Sequence, residues 1–308
     1  MNSTKENSIS VSNLSKSYGN ILALDKLSFE IAKGELFGFI GPDGAGKTTL
    51  FRILTTLLLA DEGNATLCGL DVVKDFKKIR QIIGYMPGKF SLYQDLSVEE
   101  NLSFFATIFG TTIQENYELI KDIYIQIEPF RKRPAGKLSG GMKQKLALCC
   151  AMIHKPEILV LDEPTTGVDA VSRKEFWEML RKLKESGITI IVSTPYMDEA
   201  SLCDRVALMQ GGIIMSTNTP ENIIKQFDTP LYAVKSHSMY QLMNDLKTWN
   251  QTESAHLFGQ YLHLTMKDKD SNAIETYLKS KSHQDFEIQQ ITPNIEDAFM
   301  RLMANKSK

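Results

Sequence analysis

Residues 35–59 read ELFGFIGPDGAGKTTLFRILTTLLL, and they predict a strand, a tight glycine turn and a helix in direct succession. The run at 35–40 is mostly apolar, as in a buried strand, and the run at 48–59 reads as a helix. The turn between them, GPDGAGKTT at 41–49, fits the pattern G-x-x-x-x-G-K-[ST]. This pattern requires a preceding strand and a following helix, so the stretch predicts a phosphate-binding loop (P-loop) in an α/β fold.

The glycines of this loop let successive backbone N–H groups point into one concavity, because no side chain stands in the way. The helix that begins near Lys47 adds its positive end to the same pocket. Lys47 supplies a mobile ammonium for the β- and γ-phosphates, and the Thr48 hydroxyl is placed to ligate Mg²⁺. The residues expected to hold ATP in this loop are Gly41, Pro42, Asp43, Gly44, Ala45, Gly46, Lys47, Thr48 and Thr49.

A second apolar run, ILVLDEP at 158–164, predicts a buried strand that ends in two acids. Open α/β sheets place ligand chemistry at the carboxyl ends of their strands. Asp162 is suited to hold Mg²⁺ or its water, and Glu163 is suited to polarise the attacking water as the general base. The alternative is that one of the two acids only caps the following turn.

A third segment, LSGGMKQK at 138–145, is close to the LSGGQ signature of the ATP-binding cassette family. Over roughly residues 8–228, the chain resembles the nucleotide-binding subunits of ABC transporters. The resemblance implies that two such domains sandwich two ATP molecules head to tail, each ATP lying between one subunit's P-loop and the other's signature. The signature residues that would serve a partner's ATP from the start of a helix are Ser139, Gly140, Gly141 and Met142.

Two further matches follow from the same resemblance. Tyr18, in SKSYGN, matches the family position whose ring stacks on adenine, with an ordinary surface or core tyrosine as the alternative. TTGVD at 165–169 matches the loop through which the two domains touch, with Asp169 as its acid.

Two departures from the family pattern predict poor turnover. The segment GYMPGKF has Gly88 where the family carries a glutamine, and the strand ITIIVST is followed by Pro195 where the family carries a histidine. Proline has no donor and no titratable nitrogen, so it cannot replace the histidine. Lys89 and Tyr196 are neighbours that could compensate, although a solvated lysine and a packed tyrosine are the ordinary interpretations. We expect ATP binding to survive, and the asymmetry predicts a heterodimer with a more active cassette.

The composition limits the other possibilities. The chain has 308 residues, 43% of them apolar, and a net charge of −2, which argues against nucleic-acid binding as a main task. Its start, MNSTKENS, does not resemble a signal peptide, and no apolar run is long enough to span a membrane, so we expect a cytoplasmic chain peripheral to the membrane. No C-x-x-C pair occurs, which predicts reduced core thiols at Cys68, Cys149, Cys150 and Cys203.

The aromatic-rich segment at 90–110 is the predicted docking surface for a membrane-spanning permease chain. In the family, this region receives a short cytoplasmic helix of the permease. A self-contained helical core is the alternative, and both can hold. We assign the contact to Phe90 and Tyr93, because Phe104 and Phe105 lie mid-helix, where core packing is the default.

The fold class is therefore α/β: a P-loop ABC-type ATPase domain at 1–228, with a helical signature subdomain at about 90–156. Residues 229–308 predict a small α+β domain with the ferredoxin-like order βαββαβ. The final helix, NIEDAFMRLM, resembles the tail of subunits that serve ABC-2 type exporters.

The sequence thus predicts the ATPase subunit of an ABC exporter that works beside a second cassette and permease chains. Two alternatives stay open. One is a nucleotide-binding regulatory subunit with negligible hydrolysis, which Gly88 and Pro195 support. The other is a soluble ABC ATPase acting on ribosomes or DNA, but the tandem cassettes or long inserted helices that it predicts are not found in the sequence. The transported cargo is not predicted.

Overall fold

The computed structural model describes residues 6–267 and 272–306. The strands in these ranges are β1 (Asn7–Tyr18), β2 (Ile21–Ala32), β3 (Leu36–Ile40), β4 (Glu62–Leu67), β5 (Leu70–Asp71), β6 (Ile83–Met86), β7 (Ile158–Asp162), β8 (Thr189–Thr194), β9 (Arg205–Gln210), β10 (Ile213–Asn218), β11 (Leu231–Lys235), β12 (Thr252–Phe258), β13 (Tyr261–Met266) and β14 (Glu287–Ile291). The helices are α1 (Lys47–Leu54), α2 (Phe76–Ile82), α3 (Val98–Ile108), α4 (Tyr117–Tyr124), α5 (Gly140–Met152), α6 (Ala170–Glu185), α7 (Pro220–Lys225), α8 (Met239–Thr248), α9 (Asn272–Ser280) and α10 (Ile295–Lys306).

The first unit, which ends at Pro220, is built on a six-stranded sheet with the order β10-β9-β3-β8-β7-β6. Strands β9, β3, β8, β7 and β6 are mutually parallel, and only β10 runs antiparallel to its neighbour. Every residue of β3, β7 and β8 is buried, as the near-continuous apolar runs of their sequences require. Because the strands are parallel, the segments that follow β3, β6, β7 and β8 meet at one edge of the sheet.

A second sheet of the first unit, with the order β2-β1-β4-β5, is antiparallel throughout. The core that joins it to β3 and α1 is rich in phenylalanine. The ring of Phe39 lies 5.1 Å from those of Phe29 and Phe37, and 5.6 Å from that of Phe51. Tilted and edge-on pairs of this kind each add about 0.5–1.5 kcal/mol beyond the burial of their area. The packing fixes α1, and with it the loop that precedes α1, on the sheet.

The helical subdomain consists of α3, α4 and α5, with α3 and α4 both packed on α5. Helix α3 begins with a capping box, in which Ser97 Oγ accepts from the Glu100 N–H at 3.2 Å and Glu100 Oε2 accepts from the Ser97 N–H at 2.8 Å. The buried Asn101 side chain accepts from the Tyr93 N–H and donates to the Tyr93 carbonyl, both at 3.0 Å. These bonds fix the aromatic segment that precedes α3.

The prediction that Phe104 packs in the core is wrong, and Phe105 is only partly buried. The buried stripe of α3 contains Val98, Leu102 and Ala106, which recur at helical spacing. Phe104 lies off this stripe and is 37% exposed, while Phe105 borders the stripe and is only half-buried. Both rings are therefore partly available at the surface of the subdomain.

The second unit, from Glu221 onwards, contains a four-stranded sheet with the order β12-β13-β11-β14, in which all neighbours are antiparallel. Its elements follow one another as βαββαβ, the order that the sequence predicts. Helices α8 and α9 bury Leu242, Leu246, Ile274 and Leu278 against one face of this sheet. The contacts divide the chain after Pro220, within α7, whereas the predicted boundary is at residue 228.

The cysteines are all free, and Cys149, Cys150 and Cys203 are buried as predicted. Cys68 is exposed, so the prediction that it is a core thiol is wrong. It occupies the tight turn between β4 and β5 with a positive φ of 48°, where side chains face solvent. Among the residues that the structure describes, no helix has the length and apolar character needed to cross a membrane.

Candidate functional site

Four loops converge at the carboxyl edge of the parallel sheet, one each after β3, β8, β7 and β6. The P-loop follows β3, and Glu163 follows β7. Gly88 and Pro195, the two departures from the family pattern, come shortly after β6 and directly after β8. The residues predicted from separate parts of the sequence therefore lie at one edge, which is where doubly wound sheets bind ligands.

The P-loop contains two glycines that no other residue could replace. Gly46 has a φ of +101°, and a Cβ there would lie 2.5 Å from the Ala23 carbonyl oxygen. A Cβ on Gly41 would collide with the Met209 carbonyl oxygen. The loop is thus held between β2 and the end of β9 with its backbone uncovered, which fits a cradle for phosphate oxygens.

Lys47 connects the P-loop to the acid at the end of β7. Its buried side chain donates to the carbonyl oxygens of Gly41 at 2.7 Å and Pro42 at 3.0 Å. Its ammonium also lies 3.4 Å from Glu163 Oε1. Thr48, the next residue, is exposed at the start of α1. The ammonium and the general-base candidate therefore share one small space.

Asp162 and Glu163 are both held by Ser193, the next-to-last residue of β8. Ser193 Oγ donates to Asp162 Oδ1 at 2.6 Å and accepts from the Glu163 N–H at 3.0 Å. Glu163 adopts a positive φ of 49°, and its N–H also lies 3.1 Å from the Ser193 carbonyl oxygen. Ser193 fixes both acids, and the sequence analysis missed it, because only the register of β7 and β8 reveals that it lies opposite Asp162.

Tyr85 lies on β6, the strand that pairs with β7 on the side away from β8. Burial, with a further contribution from the negative charge of Asp162, raises the pKa of Tyr85 to about 12. The phenol therefore stays protonated at neutral pH.

Gly88 lies against the two acids. A Cβ at this position would be 3.1 Å from the Asp162 carbonyl oxygen and 3.8 Å from Glu163 Cβ. A side chain at position 88 would therefore start beside the two acids, but glycine leaves that space without an amide. The neighbouring Lys89 is exposed.

Tyr196, next to Pro195, is anchored to helix α6. The Arg173 guanidinium lies 4.9 Å from the centroid of the Tyr196 ring and 3.6 Å from the Asp198 carboxylate. The Tyr196 N–H donates to Thr194 Oγ1 at 3.0 Å. This segment is therefore fastened by contacts with its own chain.

The signature begins α5, where Ser139 is the N-cap and accepts from the Met142 N–H at 3.3 Å. Ser139 and Gly140 are exposed. A Cβ on Gly141 would lie 2.6 Å from Ser172 Oγ of α6, so this glycine permits the close packing of α5 on α6. In the described part of the chain, the near neighbours of the two signature glycines are Ser172 and the Gly167 carbonyl rather than the P-loop.

Asp169 and Tyr18 complete the predicted set. Asp169 is the N-cap of α6 and accepts from the N–H groups of Val171 at 3.1 Å and Ser172 at 3.0 Å. These hydrogen bonds, that from Ser172 first, lower the pKa of Asp169. Tyr18 is 45% exposed at the end of β1, on the hairpin whose second strand supports Gly46 through Ala23.

Comparison with known proteins identifies the family. A family model described as "ABC transporter" matches residues 24–166. The Nod factor export ATP-binding protein I of Sinorhizobium fredii (strain NBRC 101917 / NGR234) is 34% identical over 304 residues, which cover 97% of this chain and 87% of that protein. The chain belongs to the ATP-binding proteins of ABC transporters.

Other relatives match the cassette alone. The probable multidrug ABC transporter ATP-binding protein YbhF of Escherichia coli (strain K12) is 40% identical over 223 residues, or 72% of this chain. The aligned region spans only 39% of that relative's length. Among solved structures, cbiO1 from Clostridium perfringens, part of the ABC transporter complex cbiONQ, superposes with a TM-score of 0.65 at 26% identity, covering 72% of this chain and 92% of that one.

The dimeric ABC transporter cassette MJ0796 superposes with a TM-score of 0.63 at 26% identity, covering 68% of this chain and 98% of that one. The same cassette is known as a dimer in a post-hydrolysis state with ADP and Pi. ABC cassettes bind ATP or ADP with Mg²⁺, and the uncovered P-loop backbone of this chain fits the phosphates of such a ligand.

Beside Gly88, this ABC cassette has a mostly apolar cavity of about 390 Å³ between β6, α3 and α5. We call it the aromatic groove; its lining includes Tyr85, Phe90, Phe105, Phe109 and His154. Burial lowers the pKa of His154, whose ring stacks on Phe109 at 3.7 Å, so the groove carries no positive charge from this residue at neutral pH. Tyr93 is absent from the lining and packs edge-on against Phe104 at 4.8 Å.

Proposed function

We propose that this chain is the ATP-hydrolysing subunit of an ABC exporter, with a weakened site of its own and a signature that serves a second, more active cassette. The observation that carries the proposal is the composition of the carboxyl edge of the sheet. Lys47, Asp162 and Glu163 lie together there, but the adjoining positions hold Gly88 and Pro195.

The roles follow from the geometry of the residues present. The P-loop backbone and Lys47 bind the phosphates of ATP. Thr48 and Asp162 hold Mg²⁺, which when bound neutralises negative charge on the phosphates. Glu163 is the general base, and Ser193 keeps its backbone in place through the 3.0 Å bond.

The weakness of the site follows from the side-chain donors that it lacks. Neither glycine at position 88 nor proline at position 195 offers a side-chain hydrogen bond to an attacking water or to a γ-phosphate. Removing one well-placed donor from such a centre costs about a hundred- to a thousand-fold in rate. The rate losses from two missing donors in one site do not multiply fully, because neighbouring groups act together. Binding is supported by the P-loop and Lys47, which are complete.

The exposed signature supports a partner cassette. Ser139 and Gly140 stand at the solvent-facing start of α5, where backbone N–H groups are available to an anion from outside the chain. An intact signature beside a weakened P-loop site is the pattern of a heterodimer with one active and one slow site.

The aromatic groove supports a permease partner and attachment at the cytoplasmic face of the membrane. An apolar groove of this volume suits the apolar face of a short helix. The named functions of the relatives, Nod factor export and multidrug transport, favour export, and the terminal helix favours the ABC-2 type. The cargo would be selected by the permease rather than by this chain.

Purification of the tagged chain from gently solubilised membranes tests the proposal. We expect a second cassette and a permease to be recovered with it. Phe90→Ala should release the permease and leave ATP binding unchanged, whereas Tyr240→Ala, which removes a 76% exposed ring from the second unit, should release nothing. Recovery of this chain alone would refute the exporter assignment. Binding of Mg·ATP by the isolated chain, with hydrolysis no faster than that of its Glu163→Gln variant, would favour the regulatory alternative.

A further inference from the structure

A buried carboxylate lies between the loop that follows β7 and the end of β8. Glu199, in the short 3-10 turn Met197–Leu202, is 1% exposed. Its Oε1 accepts from the Thr165 hydroxyl at 2.7 Å, and its Oε2 accepts from the Thr194 hydroxyl at 2.5 Å. Both threonines are themselves at most 1% exposed. A carboxylate removed from water in this way depends on these donors, and charge-assisted bonds of this length are strong.

The two threonines belong to segments that matter for ATP hydrolysis. Thr165 lies two residues after Glu163, in the loop that leads to Asp169. Thr194 ends β8 directly before Pro195, and its carbonyl oxygen accepts from the Gly41 N–H at 3.3 Å. One side chain therefore fastens the loop after the general base to the strand end that supports the first glycine of the P-loop.

The link that Glu199 forms between Thr165 and Thr194 matters more in this chain because residue 195 is proline. A donor side chain at that position could be held by the nucleotide, but proline offers none. The end of β8 is held instead from inside the protein, by Glu199 through the Thr194 hydroxyl and by the Thr194–Tyr196 bond of 3.0 Å.

We infer that Glu199 is a positioning residue for ATP hydrolysis, which ties the loop at 165–169 to the end of β8. It holds the general base of this chain's own site and the loop presented to the partner cassette in fixed relation to the P-loop. The part that concerns the partner rests on the proposed function. Glu199 touches no reacting atom, so it should act on kcat and leave KM for ATP unchanged.

The test is steady-state ATP hydrolysis by the isolated full-length chain and by its complex with the partner. Glu199→Gln keeps the size of the side chain but leaves only one carbonyl oxygen for the two hydroxyls. Thr165→Val removes one of the same bonds from the loop side. Each should lower kcat about tenfold, the rate equivalent of one charge-assisted bond, with KM within about twofold. The double variant Glu199→Gln and Thr165→Val should have a kcat little lower than that of either single variant, because both substitutions break the same contact.

Two controls separate positioning from folding. Thr165→Ser restores the hydroxyl and should restore kcat, and Glu178→Gln, which neutralises an exposed acid on α6, should change nothing. Thermal unfolding reports the folded fraction of each variant. A lower melting temperature with kcat per folded molecule unchanged would overturn the inference, as would a raised KM with an unchanged kcat.

Failure of the inference and failure of the proposed function give different results. If no second cassette is found, the proposed function fails, and kcat of the isolated chain still decides whether Glu199 positions the general base. If the complex forms and Glu199→Gln slows ATP hydrolysis only in the isolated chain, the loop at 165–169 does not carry the positioning effect of Glu199 to the partner cassette. The part of the inference that concerns the partner is then wrong. If Glu199→Gln does not fold, the Thr165→Val and Thr165→Ser pair decides in its place.

Discussion

Restoring the two missing side chains should raise the rate of ATP hydrolysis at this site. The double variant Pro195→His and Gly88→Gln returns an imidazole donor after β8 and an amide beside Asp162. Thr194 should stay in place, because its bonds to Gly41 and Tyr196, of 3.3 Å and 3.0 Å, do not involve the proline ring. The backbone that would carry the histidine is therefore already fixed.

The expected gain is smaller than the full value of two donors. One well-placed donor is worth about a hundred- to a thousand-fold in rate. A Cβ at position 88 would lie only 3.1 Å from the Asp162 carbonyl oxygen, so the loop must move by a few tenths of an ångström to accept glutamine. We expect Pro195→His alone to give about a ten- to hundred-fold higher kcat, and Gly88→Gln to add less.

The assay is phosphate release by the purified chain at saturating Mg·ATP, with ATP affinity measured separately. Pro195→Ala is the control for loss of the rigid ring, and it should give no gain. The gain should also vanish when Glu163→Gln is added, because the histidine acts only together with the base. A double variant that folds and binds ATP with unchanged affinity, yet hydrolyses no faster, would refute the explanation of the weak site.

Three other substitutions address separate parts of the site. Lys47→Ala should abolish ATP binding, since it removes the ammonium for the phosphates; a fluorescent nucleotide titration measures this, and unchanged affinity would exclude the role. Gly41→Ala should also lose ATP binding, because its methyl group would collide with the Met209 carbonyl oxygen; retained binding together with unchanged thermal unfolding would show that the loop can yield. Ser139→Ala should leave ATP binding to this chain intact and slow hydrolysis in the complex, since in the proposed arrangement the signature serves the partner's ATP; loss of binding by the lone chain would contradict the head-to-tail arrangement.

Much of the candidate site could be predicted because its residues belong to short, continuous sequence motifs. At Gly46 the P-loop needs glycine for a local reason, a positive φ, and the motif pattern predicts Gly41 as well, although its close approach to the Met209 carbonyl appears only in the fold. The run that ends in Asp162 and Glu163 had to be a buried strand, and parallel pairing then placed both acids beside the P-loop. Local pattern and global fold agree at these positions.

The parts that could not be predicted depend on contacts between distant residues. Ser193 and Glu199 reach their partners only after β7 and β8 pair, and nothing in the surrounding sequence distinguishes their polar side chains from ordinary loop residues. The exposure of Phe104 could not be predicted, because a position in the middle of a helix does not show which face of the helix packs. The exposure of Cys68 could not be predicted either, because the usual burial of cysteine does not hold in a tight turn. The antiparallel sheet of β1, β2, β4 and β5 was also not foreseen.

The most direct measurement compares ATP affinity with turnover in the purified, unmodified chain. A weakened site on a complete P-loop predicts saturable Mg·ATP binding that Lys47→Ala abolishes, together with slow hydrolysis that is within about a hundredfold of the Glu163→Gln variant. Fast steady-state hydrolysis by the chain alone, far above that of Glu163→Gln, would contradict the conclusion that Gly88 and Pro195 have weakened the site.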